Sequence, residues 1–252
     1  MRNSDRTKMG GARSTFQTTQ WLEIRELAKL DPDQQRTVLD GLMTKYWKPV
    51  YCYLRRKGYD NEAAKDLTQG FFYDIVIGRR LIEQADAAKG RFRTFLLTVL
   101  DRYVISMHRR QAAAKRRPAQ GVMSLEGADE SALPVVAREM QPDEAFTYAW
   151  AVELLQEVLA DLKDKCVRDG KKVHWELFAS RVLDPIITGR EAPALAQLCA
   201  QFGVTTPVKA ENMIVTVKRR FQAALKNRVR QEVDSEEEME RELQDIMRIL
   251  SR

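Results

Sequence analysis

The residues with the clearest chemistry are polar and basic side chains at helical spacing between positions 207 and 226. The set comprises Lys209, Asn212, Thr216, Lys218, Arg219 and Arg220. Amide and hydroxyl groups can hydrogen-bond to base edges, and lysine and arginine can neutralise phosphates. A helix that carries this set is expected to lie against DNA. An ordinary helical hairpin with a solvated basic face is the alternative that spacing alone leaves open.

The elements that must position this set read as a helix-turn-helix over residues 192–230. Gly203 supplies the turn, and Thr206 followed by Pro207 is a helix N-cap with proline at the first helical position. Apolar residues at helical spacing predict the buried face of each helix: Leu195, Leu198 and Cys199 in the first, and Ile214, Val217, Phe221 and Leu225 in the second.

Two further polar faces lie upstream. A dense arginine run favours phosphate contacts along a helix predicted at residues 92–110; its candidates are Arg91, Arg93, Thr98, Arg102, Arg109 and Arg110. A helix that we expect Asn61 to cap places Glu62, Asp66 and Gln69 on one face, at steps of four and three. A plain solvated surface remains the alternative for both faces.

The sequence gives little support for catalysis. His108 and His174 fall in different predicted domains, and neither has neighbours at metal-ligand spacing. No phosphate-binding glycine loop occurs. We therefore expect no catalytic residue, no metal site and no cofactor, and we do not expect an enzyme.

The three cysteines are widely spaced in apolar helical contexts, which is typical of reduced core thiols in a cytoplasmic protein. Neither a secretion signal nor an apolar run of membrane-spanning length is present, so no membrane partner is expected.

Periodicity predicts an all-α fold with two helical domains joined by a flexible linker. The chain has 252 residues and a net charge of +6, enough length for two small cores. Pro49 interrupts a helical pattern, so a kink or break is expected near residues 46–48. The predicted divisions are a flexible tail at 1–15, a first domain at 16–110, a linker at 111–141, a second domain at 142–232 and an acidic amphipathic helix at 233–252.

The acidic tail is distinct in composition. Between Asp234 and Arg252 it holds seven acidic residues against three arginines. An apolar stripe runs through it, formed by Met239, Leu243, Ile246 and Leu250. We expect this helix to dock on the second domain and to tune DNA access; a coiled coil or a partner helix is the alternative.

Several motifs, in order, resemble a bacterial sigma factor of the extracytoplasmic-function type, from a subgroup with a C-terminal extension. Residues 18–21, 46–51, 54–58, 66–72 and 90–96 are similar to region 2 of that family. The run at 212–221 is similar to region 4, and the resemblance covers about residues 16–250. Gly70 departs from the pattern, because the family commonly has Glu there, and a mid-helix glycine costs about 1 kcal/mol relative to alanine.

The resemblance implies core RNA polymerase and promoter DNA as partners, with an anti-sigma or other regulatory protein as a further candidate. It implies that Asp66 and Gln69, on the face that includes Glu62, hold the polymerase clamp helices. Residues 91–110 would open the minus-ten element, and the loop at 79–90 would capture a flipped base. Residues 207–226 would read the minus-thirty-five element. A stand-alone helix-turn-helix regulator is the competing interpretation: it explains 192–230 but not 66–110.

Overall fold

The computed structural model describes residues 30–77, 91–115, 139–233 and 235–250. Most of these residues are helical and none is in a strand, which confirms the all-α class. Three sequence predictions fall wholly or mostly outside the described residues: the tail at 1–15, the loop at 79–90 and the linker at 111–141. Within the described ranges, no helix combines the length and apolar character needed to cross a membrane.

Nine α-helices follow one another along the described chain. They are α1 (Pro32–Arg56), α2 (Asn61–Phe71), α3 (Phe92–Lys115), α4 (Pro142–Arg168), α5 (Lys172–Phe178), α6 (Asp184–Thr188), α7 (Leu195–Phe202), α8 (Pro207–Arg230) and α9 (Glu236–Leu250). Short π-helical segments extend α2 over Phe72–Ile77 and α5 over Ala179–Leu183. The third helix continues five residues past its predicted end at Arg110.

The helix α1 continues through Pro49, so the break expected near residues 46–48 is absent. Proline inside a helix removes one backbone hydrogen bond and costs about 3 kcal/mol. Pro49 is buried, and Val50 and Tyr46 on either side of it are fully enclosed. Tertiary burial along α1 therefore outweighs the local preference of proline.

Local capping chemistry sets two helix starts that matter for the polar faces. Thr206 caps α8 as predicted, with its hydroxyl oxygen accepting from the Lys209 amide at 3.2 Å. The prediction for α2 was wrong by one residue: Asp60 is the cap and accepts from the Ala63 amide at 2.8 Å. Asn61 instead accepts a hydrogen bond from the Tyr51 hydroxyl at 2.8 Å, because its side chain lies toward α1.

The first hydrophobic core joins helices from both ends of the chain. Aromatic contacts link α1 to α3 and α4: the ring of Tyr46 lies 5.6 Å from that of Phe92 and 6.3 Å from that of Phe146. Apolar residues of α9 also belong to this core: Met239, Ile246 and Ile249. The acidic tail is therefore an integral part of the first core.

The second core is smaller and lies around α8. It contains Ile214 and Val217 of α8 together with Leu198 and Cys199 of α7, as the helix-turn-helix pattern predicts. Val204 is buried below the turn, and Gly203 adopts φ 66°, a left-handed conformation that favours glycine. The buried faces predicted from spacing are therefore confirmed for these residues.

Helix α4 contributes to both cores. Phe146, Trp150 and Leu154 in its first half belong to the first core, and Leu162 and Cys166 in its second half belong to the second. Because an α-helix has about 3.6 residues per turn, steps of four residues make this buried stripe wind around α4, so that its two halves face different cores. The position of one core relative to the other is consequently fixed by a continuous helix of 27 residues.

A buried ion pair joins the first helix to the end of α8. Lys45 of α1 donates to Glu232, and both side chains are 7% exposed. Burial lowers the pKa of Lys45, and the adjacent Glu232 carboxylate opposes that shift. Separating the pair would leave an unpaired charge buried, which would destabilise the fold. The pair therefore holds the segment that follows α8 against α1.

The three cysteines are free and buried, in agreement with their interpretation as core thiols. Burial raises the pKa of the Cys52 thiol to about 11. A thiol with that pKa is almost entirely protonated near neutrality, so Cys52 is a packing residue and a poor nucleophile.

Gly70 has a structural explanation. A Cβ atom built there would lie 2.6 Å from the hydroxyl oxygen of Tyr103 on α3 and 3.9 Å from Cζ. Tyr103 is itself buried, with its ring 5.6 Å from that of Phe71 in an edge-to-face contact. Any larger residue at this point would therefore require Tyr103 to shift.

This contact predicts opposite effects for two helix glycines. Gly70→Ala should lower the free energy of unfolding by about 1–3 kcal/mol, because Tyr103 must shift. Gly41→Ala in α1, where no atom lies within 4 Å, should raise it by about 0.5–1 kcal/mol. Urea unfolding followed by circular dichroism measures both. Tyr103→Phe should relieve the penalty at position 70, and stabilisation by Gly70→Ala alone would contradict the contact.

Candidate nucleic-acid interface

The exposed face of α8 carries most of the residues first singled out for DNA contact. Lys209, Asn212, Lys218 and Arg219 are exposed, on the side opposite Ile214 and the second core. The half-buried Thr216 donates its hydroxyl to the Asn212 carbonyl oxygen at 2.8 Å. The hydroxyl thus has a local partner, while the amide and the cations face outward.

Arg220 differs from its neighbours on α8. It forms an ion pair with Asp169 at 2.8 Å, and its side chain is 28% exposed. The hydrogen bond from Arg220 lowers the pKa of Asp169 below its ordinary value. This pair ties α8 to the turn that follows α4, so Arg220 already has a structural partner within the chain.

The polar face of α2 is open to solvent. Glu62, Asp66 and Gln69 are exposed, and Ala64, Leu67 and Phe71 on the other side enter the first core. Glu62 pairs with Lys65 at 2.9 Å on the same helix. The structure therefore leaves a short, partly acidic ridge, as the spacing predicts, and it is accessible to a partner.

The outer face of α3 is basic along its length. Arg102, Arg109 and Arg110 are exposed, and so is Thr98, whose hydroxyl donates to the Thr94 carbonyl oxygen at 3.0 Å. Val99, Leu100 and Tyr103 are among the residues that hold the opposite face in the first core. These four residues form a basic surface that we call the α3 face.

His108 lies next to Arg109 on α3 and is also exposed. Its ring lies 5.8 Å from that of Tyr59, and its Nε2 atom is 2.6 Å from the Tyr59 hydroxyl oxygen. The imidazole is therefore partnered by the segment between α1 and α2, which ties α3 to that corner of the first core.

Arg91 and Arg93 occupy a different environment from the α3 face. Their side chains are only 20% and 10% exposed, because α9 covers them. Arg93 donates two hydrogen bonds to Glu242, at 3.0 Å from Nε and 2.8 Å from Nη2. Arg91 pairs with Glu242 at 2.5 Å and also with Asp245. We call these four residues the arginine–carboxylate cluster.

Two further groups complete the surroundings of Arg93. Its Nη1 donates to the Thr147 hydroxyl at 3.1 Å, and its guanidinium carbon lies 4.7 Å from the ring centroid of Trp150. Both partners belong to α4. Stacking on an aromatic face together with a bidentate carboxylate is a strong arrangement for arginine. The cluster therefore joins α3, α4 and α9.

Sequence reasoning missed Glu242 and Asp245 as partners of these arginines. The two acids are three residues apart on one helix face, but the arginines lie 149 to 154 positions earlier. The expected docking of the tail on the second domain was incomplete: α9 does contact α8, but it also packs on α4 and enters the first core. The sequence did contain one signal for this contact: an acidic face on the last helix and an arginine run upstream have complementary charge.

The described residues contain no group of three or more His, Cys, Asp or Glu side chains that could hold a metal ion. Comparison of the chain with family models, curated proteins and solved structures finds no match.

The cluster gives a pH-dependent prediction. Burial raises the pKa of Asp245, but the hydrogen bond and charge of Arg91 outweigh it and hold the pKa below its ordinary value. A carboxyl whose folded-state pKa is depressed stabilises the fold above its unfolded pKa, and loses that contribution as pH falls through the folded value. Asp245→Asn should therefore lower the free energy of unfolding by about 1–2 kcal/mol at pH 7.

Urea unfolding at a series of pH values measures this difference, which should shrink steadily below about pH 4. Asp40→Asn is the matched control, because Asp40 is 68% exposed and its ion pair with Arg36 is a long one, at 4.0 Å. That variant should stay within about 0.5 kcal/mol of the parent. A difference for Asp245→Asn that is the same at pH 7 and at pH 3 would contradict the ion pair.

Proposed function

We propose that this chain is a sigma factor of the extracytoplasmic-function type, which binds core RNA polymerase and directs promoter recognition, DNA opening and transcription initiation. One observation carries the proposal: the segments that resemble region 2 and region 4 form separate exposed polar faces on α2, α3 and α8. Each face is opposite an apolar one that is buried in a core. The polar residues are therefore available to partners rather than used in packing.

The polymerase contact is assigned to α2. Asp66 and Gln69 match the family positions that hold the clamp helices, and both side chains are exposed together with Glu62. A carboxylate and an amide at this spacing can accept and donate hydrogen bonds to a docking helix pair. The buried contact between Gly70 and Tyr103 accounts for the departure from the family pattern without removing these side chains.

The two DNA contacts are assigned to α3 and α8. The α3 face would hold the phosphates of the minus-ten element, with Arg91 and Arg93 at its upstream end. On α8, Asn212 and Thr216 would lie at base edges while Lys209, Lys218 and Arg219 hold phosphates, with Arg220 beside them.

The domain arrangement is part of the same proposal. Residues 16–110 and 142–232 would act as the two promoter-reading domains, with 111–141 as the linker, and the protein would work in the cytoplasm without enzymatic activity of its own. Because α4 belongs to both cores, spreading the two DNA contacts apart on polymerase would require its first half to leave the first core.

Binding to core RNA polymerase tests this function. Asp66→Ala/Gln69→Ala should weaken the affinity of the full chain for purified core enzyme at least about tenfold, since both groups lie on the proposed contact. Asp40→Ala on α1 is the matched control, an exposed carboxylate outside that face. Fluorescence anisotropy of labelled chain measures the affinity. A parent chain that binds duplex DNA but not core enzyme would support the stand-alone regulator instead.

The salt dependence of DNA binding tests the phosphate role of α8. Arg219→Ala should weaken binding to a 30-base-pair duplex and reduce the slope of log K against log salt by about 1. Arg36→Ala, at an 83% exposed arginine in the first turns of α1, should leave the slope unchanged. Titrations between 50 and 200 mM salt cover the informative range, roughly the span over which such contacts lose affinity. An identical slope for Arg219→Ala and the parent would remove Arg219 from the interface.

A further inference from the structure

The proposed function leaves unexplained why two carboxylates cover Arg91 and Arg93 in the arginine–carboxylate cluster. Glu242 is 2% exposed, although its helix is otherwise rich in exposed acids. Its carboxylate pairs with both Arg91 and Arg93, and Asp245 one turn later is shared between the same two arginines. Two carboxylates thus lie where two guanidinium groups converge.

The first turn of α3 needs an anion from elsewhere. It contains no acidic residue, and Arg91 and Arg93 place two cations beside a helix N-terminus. The helix dipole adds positive potential there, so cations are disfavoured unless an anion is close. Backbone amides and arginines at a helix start are also the usual surroundings of a bound phosphate.

Glu242 and Asp245 supply the missing negative charge from the far end of the chain. Their oxygens are acceptors at hydrogen-bond distance from guanidinium nitrogens, as phosphate oxygens would be. They also lie at the N-terminal end of α3, with the exposed Thr98 and Arg102 further along the same helix. A nucleic-acid backbone that reached the N-terminal end of α3 would have to compete with these carboxylates for the two arginines.

The segment that carries these acids is a single helix on a short connection. Only Gln231 to Ser235 separate α8 from α9, and Ser235 caps α9 by accepting from the Glu238 amide at 3.1 Å. One side of α9 is held by Met239, Ile246 and Ile249, and the other side is exposed and includes Met247. The apolar stripe and the arginine–carboxylate cluster fasten the helix to the first core, and Glu236 in its first turn pairs with Arg230 of α8 at 2.8 Å.

We propose that α9 is an autoinhibitory strap: Glu242 and Asp245 occupy the phosphate positions of Arg91 and Arg93, and nucleic acid must displace them to use the full basic surface of α3. The inference rests on the proposed function, because it takes the α3 face as the surface that holds single-stranded promoter DNA. It deepens that function by making the free chain a weaker DNA binder than its basic residues allow.

A purely structural role for α9 makes a different prediction. If the helix were a permanent brace, loosening the cluster would lower stability without improving binding of any anion. If it is a strap, weakening the cluster must raise nucleic-acid affinity, and nucleic acid must in turn expose the helix, because the coupling between two competing ligands is reciprocal.

The experiment uses the full chain and a fluorescein-labelled 20-nucleotide oligothymidine. Asp245→Asn and Glu242→Gln/Asp245→Asn remove negative charge from the cluster with little change in shape. Glu240→Gln is the matched control, an exposed acid on the same helix. Fluorescence anisotropy at low salt should show binding roughly three- to tenfold tighter for the double variant than for the parent. The control should match the parent within about twofold.

A further variant and a hydrogen-exchange measurement test whether the two arginines and α9 cause the change in affinity. Arg91→Ala/Arg93→Ala in the double-variant background should abolish the gain, because the released arginines supply it. In the parent chain, amide hydrogen exchange in 236–250 should become faster when the oligonucleotide is added. If the double variant is not folded by circular dichroism, Asp245→Asn, at a residue that is 29% exposed, serves in its place.

Parent-like affinity in a folded Asp245→Asn or double variant, or unchanged exchange in 236–250 at saturating oligonucleotide, would overturn the strap. Failure of the proposed function is separately visible. A chain in which the cluster competes with oligonucleotide but which does not bind core polymerase would keep the strap and lose the sigma-factor role. Polymerase binding by the parent chain, combined with parent-like oligonucleotide affinity in the double variant, would support the sigma-factor role and overturn the strap.

Discussion

The placement of every candidate surface depends on α4, which packs into two cores at once. Phe146 and Trp150 hold its first half against α1, and Cys166 holds its second half beside α8. An uninterrupted helix cannot bend freely between those contacts. The polar faces of α2 and α3 are therefore held in a defined relation to that of α8 for as long as both halves stay docked.

Buried charge reinforces the same arrangement at two points. Lys45 with Glu232 fixes the end of α8 against α1, and Arg93 with Glu242 fixes α9 against α3 and α4. Each pair joins segments that lie far apart in sequence, and a lone member would leave an uncompensated charge in a poorly solvated place. Burial of the apolar stripes drives the helices to pack together. The ion pairs determine which helices pack against each other.

Local signals were sufficient for much of the fold. Gly203, Thr206 and Pro207 predicted the turn and the start of α8, because capping and left-handed glycine act within a few residues. Apolar spacing predicted the buried faces for the same reason. Pro49 does not break α1, since burial of the residues around it outweighs the local cost of proline in a helix.

The long-range features could not be predicted from periodicity. Nothing near Gly70 in the sequence points to the Tyr103 hydroxyl, and nothing near Arg93 points to Glu242, because those contacts depend on how α3 and α9 approach the rest of the fold. Four of the six residues predicted to face outward on α8 are exposed, whereas Thr216 is half-buried and Arg220 has Asp169 as a partner. Helical spacing predicts which side chains face solvent. The partners of side chains that contact another helix can be identified only from the tertiary structure.

The central claim is that this chain gives core RNA polymerase its choice of promoter. The most direct measurement is transcription in vitro by purified core enzyme on a genomic library, with and without the chain, followed by mapping of the RNA 5′ ends. The account predicts a set of start sites that depends on the chain, preceded at fixed distances by two shared sequence elements. Start sites that are the same in the presence and absence of the folded chain would contradict it.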